Sequence, residues 1–89
     1  MSTNTENLEK ALLLHQNNNL KEAEILYKDL LENDSENLNL MYFYSLLLLQ
    51  TSRGNDTIGY LKKILERNPE GQLLIDCYNL LGETYLNQN

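Results

Sequence analysis

The sequence predicts an all-α chain of five helices paired as antiparallel helix–turn–helix repeats, and three observations lead there. Four polar stretches rich in chain breakers, at residues 17–19 (NNN), 32–37 (ENDSEN), 51–56 (TSRGND) and 68–71 (NPEG), divide the chain into five segments. Within each segment apolar residues recur three or four places apart. Strict alternation and β-branched enrichment are both missing, so strands are not expected. The second and fourth segments then align without a gap. Ala23 falls on Thr57, Tyr27 on Leu61, Leu30 on Ile64, Leu31 on Leu65 and Ser35 on Pro69, every pair separated by the same offset.

The first segment, residues 4–16, has Thr3 and Glu6 spaced as a capping box, in which each side chain satisfies a backbone N–H at the helix start. The second, residues 20–32, sets Leu20, Ala23, Tyr27, Leu30 and Leu31 on one stripe and Lys21, Glu24, Lys28 and Glu32 on the other. Ser35 is the expected N-cap of the third, with Glu36 in the first turn beside the positive end of the helix dipole. The third segment holds LMYFYSLLLLQ, residues 40–50, where Ser45 is the only small polar residue before Gln50. A helix apolar nearly all round has neighbours on nearly all sides, so this one is expected to be central. The fourth, residues 56–67, carries Ile58, Leu61, Ile64 and Leu65, and the fifth, residues 72–86, carries Leu74, Cys77, Tyr78, Leu81, Gly82 and Tyr85. Connections this short make sequential helices antiparallel neighbours.

Eighty-nine residues with 42% hydrophobic content and a net charge of -6 fit one small globular domain of modest stability. The charge argues against nucleic acid or an anionic membrane surface as partner, since both call for a basic patch, and only Lys62 and Lys63 adjoin. Residues 40–50 are far short of the roughly 20 needed to cross a bilayer. The opening MSTNTENLEK has no basic residue ahead of an apolar core, so no secretory signal is expected. Cys77 is the single cysteine, which leaves no internal disulfide. A packed thiol flanked by Ile75 and Tyr78, in a cytoplasmic setting, is the expectation.

A helix–turn–helix unit recurring every ~34 residues has the period of tetratricopeptide repeats. Essentially the whole chain resembles that family. In ALLLHQNNNLKEAEILYKDLLENDSEN, Ala11 is the small residue of the first helix, Asn18 stands for the turn glycine, and Ala23 and Tyr27 fill the Ala and aromatic positions. Pro69 occupies the closing proline of the second unit, and Leu81, Gly82 and Tyr85 reproduce L-G-x-x-Y. Departures are Asn7 at a usually aromatic position, Thr57 for Ala, a displaced turn glycine, and a third unit that starts three residues late. The resemblance implies repeats at residues 4–37 and 38–71, a first helix of a third at 72–89, and a short right-handed α-solenoid. Ser45 is then expected at the close crossing with the fourth helix.

The same resemblance implies a concave partner-binding face of Leu8, Leu12 and His15, with Thr5, in the first unit. The second unit would add Asn39, Tyr42, Leu46 and Leu49, and the third Asn79 with Asp76, Glu83 and Leu86. The Lys, Arg and Asn clamp that some members close on a C-terminal carboxylate is missing, as those places hold Leu8, Leu12, Phe43, Asp76 and Leu80. The expected partner is therefore an apolar peptide or helix anchored on Tyr42, unless these side chains only cover one another. No enzyme and no cofactor are expected. His15 has no second histidine to form a metal site, Cys77 lies on an apolar stripe, and Glu22, Glu24, Asp29 and Glu32 sit on a solvated face. Phosphate-binding glycine loops are absent, and no basic residues interleave Tyr42 to Tyr44 for base stacking. Two alternatives stand beside this reading. One is a repeat segment ahead of a bacterial glycosyltransferase or sulfotransferase domain; the other is a self-associating structural protein. Leu81, Gly82 and Tyr85 form the expected self-association edge. A homodimer through the last helix covers it if the chain ends there, and further repeats cover it if the chain is a fragment.

Overall fold

The computed structural model describes residues 3–88, with the side chains of residues 5–88. Five helices follow one another: α1 (Thr3–Gln16), α2 (Leu20–Asn33), α3 (Leu38–Gln50), α4 (Gly54–Glu66) and α5 (Gly71–Asn87). No strand occurs among the described residues. The chain divides into two units, Met1–Leu40 and Met41–Asn89.

In the first unit α1 and α2 form a hairpin closed over Ala11 and Ala23, both fully buried, with Tyr27 and Leu30 buried beside them. The small side chains let the two backbones come close. The turn is held by main-chain bonds: Asn17 N–H donates to Leu13 O (3.0 Å), Asn18 N–H to His15 O (3.1 Å) and Asn19 N–H to Leu14 O (2.8 Å). Asn18 takes φ 66°, a left-handed conformation that Asn tolerates better than most residues. Ala23 N–H then donates to Asn19 O (3.0 Å), which starts α2 without a side-chain cap. Thr3 of the expected capping box has its side chain outside the described residues.

Ser35 does not cap α3. That helix starts at Leu38, so the residue before it, Asn37, takes the role, and its Oδ1 accepts from Leu40 N–H (3.1 Å). Asn37 Nδ2 in turn donates to Asp34 Oδ2 (3.0 Å), which fixes the capping amide. Ser35, two positions too early, is exposed in the turn.

The second unit repeats the turn at the offset that relates α2 to α4. Thr51 N–H donates to Leu47 O (3.0 Å), Ser52 N–H to Leu49 O (3.1 Å), Arg53 N–H to Leu48 O (2.8 Å) and Thr57 N–H to Arg53 O (3.1 Å), with Ser52 at φ 63°. That last bond starts α4 at Gly54, two residues ahead of the expected start. Ser45 and Thr57 take the places of Ala11 and Ala23 and are likewise fully buried. A threonine fits there because its hydroxyl finds acceptors, lying 3.3 Å from Ser45 O and 3.2 Å from Arg53 O. Ser45 Oγ donates to Met41 O (2.8 Å), so the crossing is polar yet satisfied. Nearby, Tyr44 and Tyr60 meet edge to face with ring centres 5.2 Å apart.

Helix α5 closes this unit with Cys77, Leu80 and Thr84 buried, and Gln88 Nε2 at its end donates to Asn55 Oδ1 at the start of α4 (2.8 Å). The character of α3 follows. Leu40, Met41, Tyr44, Ser45, Leu47 and Leu48 are buried, Tyr42, Phe43, Leu46 and Leu49 are half-buried, and only Asn39 and Gln50 are exposed. It has almost no solvent face and needs almost no polar residues.

Candidate functional site

Tyr42, Leu46 and Leu49 recur along α3 at the spacing of one helix face, and each keeps part of its surface open. Helix α5 runs beside them. Burial pushes the Tyr42 phenol above its usual pKa, and the charges of Asp76, Cys77 and Glu83 push it the same way. At the other end Leu49 shares a cleft of about 650 Å³ with Thr84, Asn87 and Gln88, and the residues from Ser52 to Asp56 form its opposite wall. Asn55, at the start of α4, is bonded to Gln88 at the end of α5, and the short turn after α3 brings the end of α3 to the same place, so α3 and α5 run in the same direction. Their shared edge is apolar on the α3 side and polar on the α5 side. There Asp76 accepts from Gln72 Nε2 (2.8 Å), while Asn79 and Glu83 are exposed. No ion pair reaches Asp76 or Glu83 among the described residues.

The first-unit candidates Leu8, Leu12 and His15 also share one helix face and are half-buried. His15 is engaged within its own hairpin. Its Nδ1 lies 2.8 Å from the Tyr27 hydroxyl, with the rings edge to face at 5.6 Å, and which of the two donates depends on the imidazole tautomer. Burial lifts the Tyr27 phenol to about 12, so it stays a neutral donor or acceptor. Asn39, in the first turn of α3, is exposed.

At the self-association edge Leu81 is half-buried and Gly82 is exposed, with no atom within 4 Å of where its Cβ would sit. Tyr85 is 47% exposed. Two residues expected around a packed thiol belong with them instead. Cys77 is fully buried, but Ile75 (53% exposed) and Tyr78 (59%) face away from it. Their spacing to Gly82 and Tyr85, by threes and fours, was the available signal of a second stripe on α5. Leu86, expected to face inward, is 74% exposed.

Burial, and then the neighbouring Asp76, holds the Cys77 thiol above its usual pKa, which suits a packed side chain better than a nucleophile. No group of three or more His, Cys, Asp and Glu is placed to hold a metal ion among the described residues, and none of their helices is long and apolar enough to cross a membrane. The polar wall from Ser52 to Asp56 was not foreseen as part of any site, because in sequence it reads only as a turn. Compared with protein-family models, curated proteins and solved structures, the chain gives no match.

Proposed function

We propose that this chain is a non-catalytic protein-interaction module of the tetratricopeptide-repeat type, its helix pairs stacked as a short right-handed solenoid, and that it takes an apolar peptide or helix along α3 and α5. The repeat assignment draws support from the turn hydrogen bonds, which recur one repeat length apart with matching donors, acceptors and left-handed residue. One observation carries the binding role. Tyr42, Leu46 and Leu49 form a part-open apolar row beside a second helix running in the same direction. An extended row with one aromatic anchor is how a helix-in-groove or peptide-in-groove site works. A buried, protonated Cys77 is at home in a reducing compartment, in keeping with a cytoplasmic protein.

The test is capture of partners on the immobilised chain, read by mass spectrometry, for wild type, Tyr42→Ala and Leu46→Glu. Binding lost in both variants with helicity retained supports the row as the site. If either variant unfolds the chain as far as Leu61→Ala does, those side chains serve the core and the proposal fails.

The outer face of α5 favours a second reading, self-association. Ile75, Tyr78, Gly82 and Tyr85 are self-complementary when two helices meet antiparallel, since Tyr78 of one copy falls opposite Gly82 of the other and Ile75 opposite Tyr85.

A further inference from the structure

We infer that the occupant of the α3–α5 site is a cationic amphipathic helix, with apolar side chains on Tyr42 and Leu46 and basic side chains on Asp76 and Glu83. The inference rests on the interaction-module reading above and adds the partner's charge and spacing. Three features of the second unit lead to it.

The first is placement. Asp76 and Glu83 are seven residues apart, two helical turns, and so lie on one side of α5, roughly 10 Å from each other along its axis. Asn87, one turn beyond Glu83 on the same side of α5, lines the cleft with Leu49, which puts the two carboxylates along the same edge as the apolar row, and both act on the Tyr42 phenol. The second is that no basic side chain pairs with either of them among the described residues. The basic residues of this unit are Arg53 in the α3–α4 turn, Lys62 and Lys63 on α4, and Arg67 at its end, and no ion pair reaches either carboxylate among the described residues. Arg53 is occupied by the turn, donating through Nε and Nη2 to Thr51 Oγ1 (3.0 and 2.9 Å), and Lys63 lies over the Tyr60 ring at 5.1 Å. The third is the whole-chain charge of -6, which draws cationic ligands from a distance and repels acidic ones.

An apolar row bordered by two unpaired carboxylates selects by charge as well as by shape, because a neutral or acidic peptide leaves them without a counterion. Carboxylates two turns apart match Lys or Arg at positions i and i+7 of an incoming helix. Apolar residues at positions i+3 and i+4 of that helix lie between the two basic ones, on the side turned toward the apolar row.

The probe is a fluorescein-labelled 14-residue helical peptide of Leu and Lys with the lysines seven apart, followed by fluorescence anisotropy on the full chain. Two further peptides replace Lys by Gln and by Glu. The expected result is binding of the Lys peptide that weakens with salt, weaker binding of the Gln peptide and none of the Glu peptide. Asp76→Asn with Glu83→Gln should weaken the Lys peptide about five- to tenfold, the size expected of two exposed ion pairs, and leave the Gln peptide unchanged. Glu22→Gln with Glu32→Gln, which removes the same charge from α2, should change little. Equal loss in the two double variants would mean generic attraction to an acidic chain and would overturn the inference. So would a Gln peptide that binds as tightly as the Lys peptide. Tyr42→Ala separates the two levels. If it abolishes binding while the Asp76 and Glu83 changes do nothing, the groove stands and its charge preference is wrong. If it too does nothing, the groove reading falls.

Discussion

Tyr27 is the largest side chain buried completely among the described residues, and its hydroxyl meets His15 Nδ1 at 2.8 Å. A phenol buried this way must stay neutral, and its pKa of about 12 against the ordinary 10.0 makes that a statement about stability. The folded form holds its proton where the unfolded chain has already released it, so the stabilisation is intact below pH 10 and is lost as pH climbs to about 12. Each pKa unit corresponds to about 1.4 kcal/mol, so the loss across that window should be on the order of 2–3 kcal/mol. Urea unfolding of wild type and Tyr27→Phe at pH 8 and pH 11.5 isolates this contribution, because Tyr42 titrates in both. Tyr27→Phe should be about 1 kcal/mol less stable at pH 8, from the lost hydrogen bond, and the gap should close or reverse at pH 11.5. A constant gap would mean that Tyr27 ionises without leaving its pocket.

Ser52 and Asn18 do the same work in the two turns, each at positive φ with its N–H directed to the carbonyl three residues back. Asn suits that conformation and Ser does not, so the second turn carries more strain than the first. Ser52→Gly should therefore stabilise the chain by roughly 0.5 kcal/mol, the relieved strain exceeding the extra freedom gained by the unfolded chain. Ser52→Val should cost about 1 kcal/mol or more, and both shifts can be read from urea midpoints. The turns also show what a sequence can reveal. The constant offset between the paired segments marked Ser45 and Thr57 as the counterparts of Ala11 and Ala23, and the buried crossing is where that offset put it. The cap of α3 was misplaced because Ser35 and Asn37 are both good caps, and only the start of the helix at Leu38 decides between them. Ile75 and Tyr78 were misread because a helix with two apolar stripes does not say in its own sequence which one its neighbours cover. The shared direction of α3 and α5 follows from two short connections in a row, each reversing the chain, but which side chains of the two helices border one cleft depends on contacts between segments distant in sequence, and no local pattern encodes that.

A charge of -6 repels a second copy of the chain and attracts cationic ligands, so salt should act in opposite directions on the two proposed surfaces. Peptide binding along α3 and α5 should weaken as salt rises. Association through the outer face of α5 should strengthen, because that stripe is uncharged and only the net repulsion is screened. Sedimentation velocity over a hundredfold range of concentration, in 50 mM and 500 mM NaCl, tests this. Wild type should shift toward dimer at high salt and high concentration, and Tyr85→Lys should remain monomeric in both. A wild type that is monomeric throughout would rule out the self-association reading and leave the peptide site untouched.

The burial of α3 has a consequence during synthesis. Its thirteen residues hold no charge, no glycine and no proline, and they emerge from the ribosome before the helices of the second unit that shelter them. The last of these ends only at Asn87, so at ordinary elongation rates the stretch stays uncovered for a time on the order of seconds. Through that interval it is the kind of segment that general chaperones bind and that neighbouring nascent chains adhere to. Slowing translation downstream of Gln50 lengthens the interval and lowers the yield of soluble protein, without changing any contact in the finished fold.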